Sequence, residues 1–447
     1  MAFKYSFATP KKSFQKPTTD SQKMIDPIER DRRFLRSLWQ NRLFRSEGLA
    51  LADGTPVEVV NIGIGNDTNE RLPDFSFASI KYLESGVTMY GNIKIDVCSS
   101  HWRAQGTIAA AELSSVILHV VFYQDIILSR FDRDIPTLVL TPLPTVAATY
   151  DELRKGSLCP TFLGGLEDVH RNHLLTRIMS DRLRRKSDEI IAIYNSVEKN
   201  WHETAYIALM RAFGFKQQKS NLEKLARSLP YRYLRVAGGT DEDVFALLLG
   251  QAGFLSMPPH DGFVSEVQKR YYALQKRLGL YPTHISWQGG HTRPASLSPF
   301  LVICIATILV REQRFLERVL ACENLNSFLE VFDILVDEKY LKHFAPSVNS
   351  RGVSVERSQK LIINFVIPFL TAYGILLGRD ELRDRALDLY ESLPAEVYGY
   401  TKRWAAGGYQ APNAFFSQAL VQLSSEQCDD GICGDCPLGV MAMKNFS

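Results

Sequence analysis

The chain has 447 residues, more than one hydrophobic core usually organises, so two domains are the starting expectation. Hydrophobic residues make up 45% and charged residues 23%, which is ordinary globular composition. A net charge of +3 is too small to single out a nucleic-acid or membrane partner by itself.

Residues 1–25 read as a disordered basic arm, with Lys4, Lys11, Lys12 and Lys16 among Ser, Thr, Pro and Phe. No apolar core followed by a cleavage site stands there, so no secretory signal is expected. From Asp26 to Arg45 apolar residues recur at Ile28, Phe34, Leu35, Leu38, Trp39, Leu43 and Phe44, the pattern of an amphipathic helix. Asp53-Gly54 marks a tight turn before a strand at Val57 to Ile62. A Gly- and Asn-rich loop leads to Leu72-Pro73-Asp74-Phe75, and strands are expected at Val87 to Val97, Val116 to Tyr123 and Thr137 to Leu143. The run Val116 to Tyr123 barely alternates and predicts a central strand covered on both faces.

Beyond about residue 165 helical spacing dominates, first at Met179, Leu183, Ile190, Ile193, Tyr194 and Val197, then at Trp201, Ala205, Leu209 and Phe213. Further helices are predicted at Asp241 to Leu249, Ser265 to Leu278, Ser298 to Val310, Phe315 to Ala321, Leu325 to Val336, Val355 to Tyr373 and Glu381 to Ser392. Pro368 should kink the one that contains it. The most apolar window, Phe300 to Val310, is short of the ~18 residues a membrane span needs and reads as a buried helix. The fold class is therefore α+β: a mixed-sheet module over 26–165, a mostly helical domain over 166–425, and a Cys-containing tail over 426–447.

One constellation in the first module carries chemistry. Alternation puts Asn92, Lys94 and Asp96 on one face of a strand, with Ile93, Ile95 and Val97 on the other. Asp74 stands upstream at a strand start, and Glu58 lies on the first strand between Val57 and Val59. These carboxylates and the lysine, so arranged, are similar to the PD-(D/E)XK nuclease layout, in which two carboxylates hold Mg or Mn and the lysine helps position the attacking water. Such ions are hard, bind through one or two carboxylates plus waters and phosphate oxygens, and lower the pKa of the water. Here the order is broken: Lys94 fills the acidic slot and Asp96 the basic one. The plainer alternative is an ordinary strand face turned to solvent. His119, inside the apolar strand, reads as a core group rather than a ligand.

The segments Leu38-Trp39-Gln40-Asn41-Arg42-Leu43-Phe44, Asp53 to Val59, Pro73-Asp74-Phe75 and Val116 to Val121 resemble a bacterial domain-of-unknown-function family numbered 2851. The likeness continues through Ala212 to Phe215, Leu225 to Pro230 and Gly250 to Phe254, and ends in the C-terminal cysteines. The family pattern around the third strand places Gly-Asn/Asp-x-Glu-x-His before Ser-Ser-Asp-Trp and His-Gly-His. Gly91, Asn92, Ser99, Ser100, Trp102 and Gly106 match it. Lys94 replaces the Glu, Asp96 the first His and His101 the Asp, while Ala104 and Gln105 fall in the lost His-Gly-His. Departures concentrated in the polar letters over a kept apolar framework are what loss of chemistry with retention of fold would look like. The resemblance implies a restriction-endonuclease-like head by analogy of layout alone.

Cys428-x4-Cys433-x2-Cys436, with Gly431, Gly434 and Pro437 supplying turns, suits convergence of thiolates on a metal. Either Zn or an iron–sulfur cluster fits, and each needs a fourth ligand from a distant residue such as Cys159, Cys322 or a histidine. The alternative is a reduced tail with a reversible Cys433–Cys436 disulfide. The resemblance supports metal, because the family shares the cluster and some PD-(D/E)XK nucleases carry an iron–sulfur staple of this kind. The remaining cysteines among the seven (Cys98, Cys159, Cys304, Cys322) are scattered singly, which fits reduced thiols in a cytoplasm. Arg293, after a Gly-rich loop with His284, Trp287 and His291 nearby, is a weaker anion-binding candidate at a helix start.

Three functions are expected from these features. The first is a nuclease-like protein that binds DNA or RNA, impaired in catalysis, with phosphate contacts from Lys11, Lys12, Arg182, Arg184, Arg185 and Lys186. The second is an assembly scaffold with a protein partner, and the third an active metal-dependent phosphodiesterase using Glu58, Asp74 and Asp96. No membrane partner is expected.

Overall fold

The computed structural model describes residues 27–66, 73–104, 115–127, 129–130, 133–236, 240–281, 283–287 and 298–446. The basic arm with Lys11 and Lys12, and Arg293 with His291, lie outside the described residues. The architecture is α+β, a mixed sheet followed by a mostly helical region, as the periodicities predict.

Helix α1 (Pro27–Asn41) buries Phe34, Leu35, Leu38 and Trp39, a stripe at helical spacing. It ends at Arg42, whose left-handed φ of 53° turns the chain so that the Leu43 N–H reaches back to the Leu38 carbonyl. A non-glycine residue is strained there, and the Arg42 guanidinium offsets this by donating to the carbonyls of Val59 and Val60.

The sheet contains β1 (Val57–Asn61), β2 (Ile64–Gly65), β3 (Phe75–Tyr82), β4 (Thr88–Cys98), β5 (Val116–Tyr123) and β8 (Thr137–Val139), in the order β1-β3-β4-β5-β8 with β2 on β3. The short β6 (Ser129–Arg130) and β7 (Arg133–Asp134) form a separate ribbon. The β1, β3 and β4 pairings are antiparallel, whereas β4, β5 and β8 run parallel. Two irregularities shape the sheet. A bulge in β3 leaves Phe77 at a φ of 60° and 76% exposed. At Gly91, where β4 first meets β5, a Cβ would lie 2.5 Å from Ile117 Cγ2, so only glycine allows the approach.

The last strand is shorter than the predicted Thr137 to Leu143, because Pro142 and Pro144 lack the N–H a ladder needs. β5 buries Leu118, His119, Val120 and Val121 in succession, the two-sided cover its composition predicts. Helices α2 (His101–Ala104), α3 (Pro144–Lys155), α4 (Leu158–Gly165) and α5 (Asp168–Ser196) follow in chain order.

The chain divides into two compact units. The first comprises Met1–Leu174, Lys402–Tyr409 and Val421–Ser447, and the second Leu175–Thr401 with Gln410–Leu420. Residues 426–447, expected as a tail of their own, thus belong with the sheet. In the second unit the predicted helices appear with ends shifted by a few residues, for example Asp241–Gln251 and Gly262–Leu278. The helix around Pro368 runs from Val355 to Leu377, with a π-helical stretch Ile362–Val366 just before the proline. The wider turn accommodates a ring that would otherwise clash with the carbonyl of Asn364. This segment, and not Phe300 to Val310, is the one long and apolar enough to cross a membrane by length and composition among the described residues. It is 67% buried, the environment of a core helix.

Candidate functional site

The face of β4 that carries Lys94 and Asp96 is not turned to solvent: Lys94 is 2% exposed and Asp96 1%. Register sets Lys94 beside His119 and Asp96 beside Val121 of β5, and α1 contributes Arg32 and Arg36 from one side of its helix, one turn apart. Asp74, at the start of β3, is buried too. Its backbone N–H donates to the Ile93 carbonyl and its Oδ2 accepts from the Ile95 N–H at 2.8 Å, so the side chain is clamped across the β3–β4 junction.

Cations converge on the two carboxylates. Arg32 Nη2 lies 2.5 Å from Asp74 Oδ1, while its Nε donates to the Ile95 carbonyl and sits 3.9 Å from Asp96 Oδ1. Arg36 Nη1 and Lys94 Nζ each stand 3.7 Å from Asp74. Arg36 also donates to the Asn66 carbonyl and lies over the Phe75 ring. Asp96 Oδ2 meets His119 Nε2 at 3.0 Å. Trp102 packs edge-on against the His119 imidazole at 4.8 Å, and His119 Nδ1 has no hydrogen-bond partner among the described residues. The outcome is a buried charge cluster in which one guanidinium faces both carboxylates.

Of the four sequence-predicted catalytic residues, Asp74, Lys94 and Asp96 come together and Glu58 does not. Glu58 is exposed on β1 opposite Lys81, at the other end of β3 from Asp74. Oxygens of Glu58, Asp74 and Asp96 do not lie within 4.8 Å of one another, as ligands of one ion would. A divalent ion about 4 Å from a guanidinium is repelled by about 8 kcal/mol at an effective dielectric of about 20, twice the figure for unit charges. The buried side chains form an internal ion-pair network. Sequence reasoning missed Arg32 and Arg36, whose signal was two arginines four apart inside the apolar stripe of α1.

The second basic run is engaged in pairs. Arg182 is buried and bonded to Gln418, Arg184 pairs with Asp181, and Arg185 and Lys186 pair with Glu189. Four exposed arginines elsewhere in the second unit, Arg227, Arg232, Arg235 and Arg314, line a cleft of about 700 Å³ with His202. The acids of that cleft are Glu198, Glu203 and Glu317. Burial raises the Glu203 pKa even though its carboxylate accepts from the Tyr231 N–H.

The C-terminal cysteines sit in the first unit. Cys428, Cys433 and Cys436 line one cavity of about 570 Å³ together with Cys159, the second residue of α4. Cys322, the other cysteine named for the fourth place, belongs to the second unit. A group that sequence reasoning did not find is His260, Asp261 and His343, whose ligand atoms lie within 4.8 Å of one another. Asp261 there also caps the helix Gly262–Leu278 through the Val264 N–H, which explains the carboxylate without an ion.

Among protein families, the one described as protein of unknown function (DUF2851) matches residues 32–398. No curated protein and no solved structure matches the chain.

Proposed function

This chain belongs to the DUF2851 family, and we propose that it is a nuclease-like protein that binds nucleic acid without cleaving it. The observation that carries the reading is the Arg32 guanidinium, 2.5 Å from Asp74 and 3.9 Å from Asp96. Metal-dependent phosphodiester cleavage needs those oxygens free for a hard cation and its water. With Arg32, Arg36 and Lys94 satisfying them, the head keeps the carboxylates as structure and gives up the ion.

Nucleic-acid binding is supported by the charge and rings left at the surface. Arg232, Arg235 and Arg314 present guanidinium groups suited to phosphate oxygens. Phe77 and Tyr90, each more than three-quarters exposed on β3 and β4, offer rings on which bases can stack. The Arg182 to Lys186 run contributes less than its sequence suggests, since its charges are taken up by Asp181, Glu189 and Gln418.

The test is fluorescence anisotropy of labelled single-stranded and duplex oligonucleotides with the full chain. Binding should be strongest at low salt and weaken steeply as salt rises. Arg235→Glu combined with Arg314→Glu should weaken it by about tenfold or more. Absence of binding at low salt would replace this reading with the scaffold one. Mg- or Mn-dependent cleavage that disappears in Asp74→Ala would replace it with an active phosphodiesterase.

A further inference from the structure

We propose that Cys159, Cys428, Cys433 and Cys436 hold a [4Fe–4S] cluster that fastens the C-terminal loop to the sheet-bearing unit. Cys159 comes from a distant part of the chain yet lines the same cavity as the three C-terminal cysteines. The loop is shaped for this convergence. Gly431 turns the chain at a φ of 68°, and the Ile432 N–H reaches back to the Gln427 carbonyl. A Cβ on Gly439 would sit 2.3 Å from the Cys433 carbonyl oxygen, so glycine lets Cys433 lie against the first turn of the helix Pro437–Asn445.

Positive charge and a helix start surround the sulfurs. Cys436 is the N-cap residue of that helix, where the first backbone N–H groups have no partner within the helix. Arg403, held by the Gly156 carbonyl, lines the cavity and places its positive charge near Cys428 and Cys159. Arg154 and Lys155 line the same cavity, against one acid, Asp151. Four thiolates around a cluster are anionic, and this surplus of positive charge and N–H dipoles suits them.

Spacing separates a cluster from a single zinc ion. A tetrahedral zinc with bonds of about 2.3 Å holds its sulfurs about 3.8 Å apart. Among the described residues no three of these sulfurs group within 4.8 Å of one another, and the cavity of about 570 Å³ that they line is larger than one tetrahedral ion fills. Four protein ligands leave no iron open to substrate, so the cluster is a staple or an electron carrier rather than a Lewis acid. What it fastens is visible: Asp435 pairs with Arg33 at 3.5 Å, and Gly434 lies directly on the backbone of Phe34.

The full chain purified without oxygen, or reconstituted with ferrous iron and sulfide, should contain about four iron and four acid-labile sulfide per molecule. It should show broad visible absorption that dithionite bleaches. Cys159→Ser should lose most of the iron, while Cys322→Ser keeps it. One zinc per chain in place of iron, no metal after reconstitution, or full iron in Cys159→Ser would overturn the assignment. The wild-type iron and sulfide content decides the matter even where a variant fails to fold.

Discussion

Asp74 receives a backbone N–H and three cations while almost wholly removed from water, and its worth to the fold follows from what its loss would strand. Removing one partner of a buried pair leaves the others uncompensated, at a cost of about 3–5 kcal/mol. Asp74→Ala is therefore expected to lower the unfolding free energy by about that amount in a denaturant titration, and Glu58→Ala, on an exposed face, by less than about 0.5 kcal/mol. Equal effects would contradict the separation of the two acids. At this scale the sequence was partly legible. Strand alternation grouped Lys94 with Asp96, and Pro73-Asp74 marked the strand start. What alternation cannot say is which partner lies above a face, and the arginines that decide the chemistry arrive from α1.

Among the elements, α5 carries an ion-pair network that shows how helix contacts absorb charge. Glu189 meets Lys186, Arg185, Arg211 and Lys219, and Arg211 also pairs with Glu223. Burial alone would raise the Glu189 pKa, but Lys186 and Lys219 together hold it down to about 2. Burial also keeps Lys186 below the ordinary lysine value, so the acid limb rests on Glu189 and its several partners rather than on that one pair. A carboxylate lowered by folding stabilises fully above its ordinary value of 4.5, and that contribution is lost as pH falls towards 2. Glu203 acts in the opposite sense, because burial raises it and its cost grows as pH rises through the ordinary value. Wild type should thus lose more stability than Glu189→Gln between pH 4.5 and 2 in acid unfolding followed by circular dichroism. Parallel curves would contradict the pairing. The basic run on this helix was plain in the sequence, but whether its charges were free was not, since Glu189 is local while Arg211 and Lys219 come from the next two helices.

For the whole molecule, the order of β and α regions could be read from periodicity, because a period of two and a period of 3.6 are local signals. The membership of the first unit could not. Its last segments return from beyond residue 400, and Gly-rich spacing around the cysteines reads locally as a tail. Only packing puts Gly434 on Phe34, and so joins the cysteine loop to the same helix that sends Arg32 into the carboxylates. The most direct test of the account is Mn²⁺ binding by electron paramagnetic resonance, comparing wild type with Asp74→Asn, a substitution close in shape. If the cations on Asp74 and Asp96 stand in place of a metal, the two proteins should bind the same amount of Mn²⁺. A Mn²⁺ site present in wild type and missing in Asp74→Asn would contradict it.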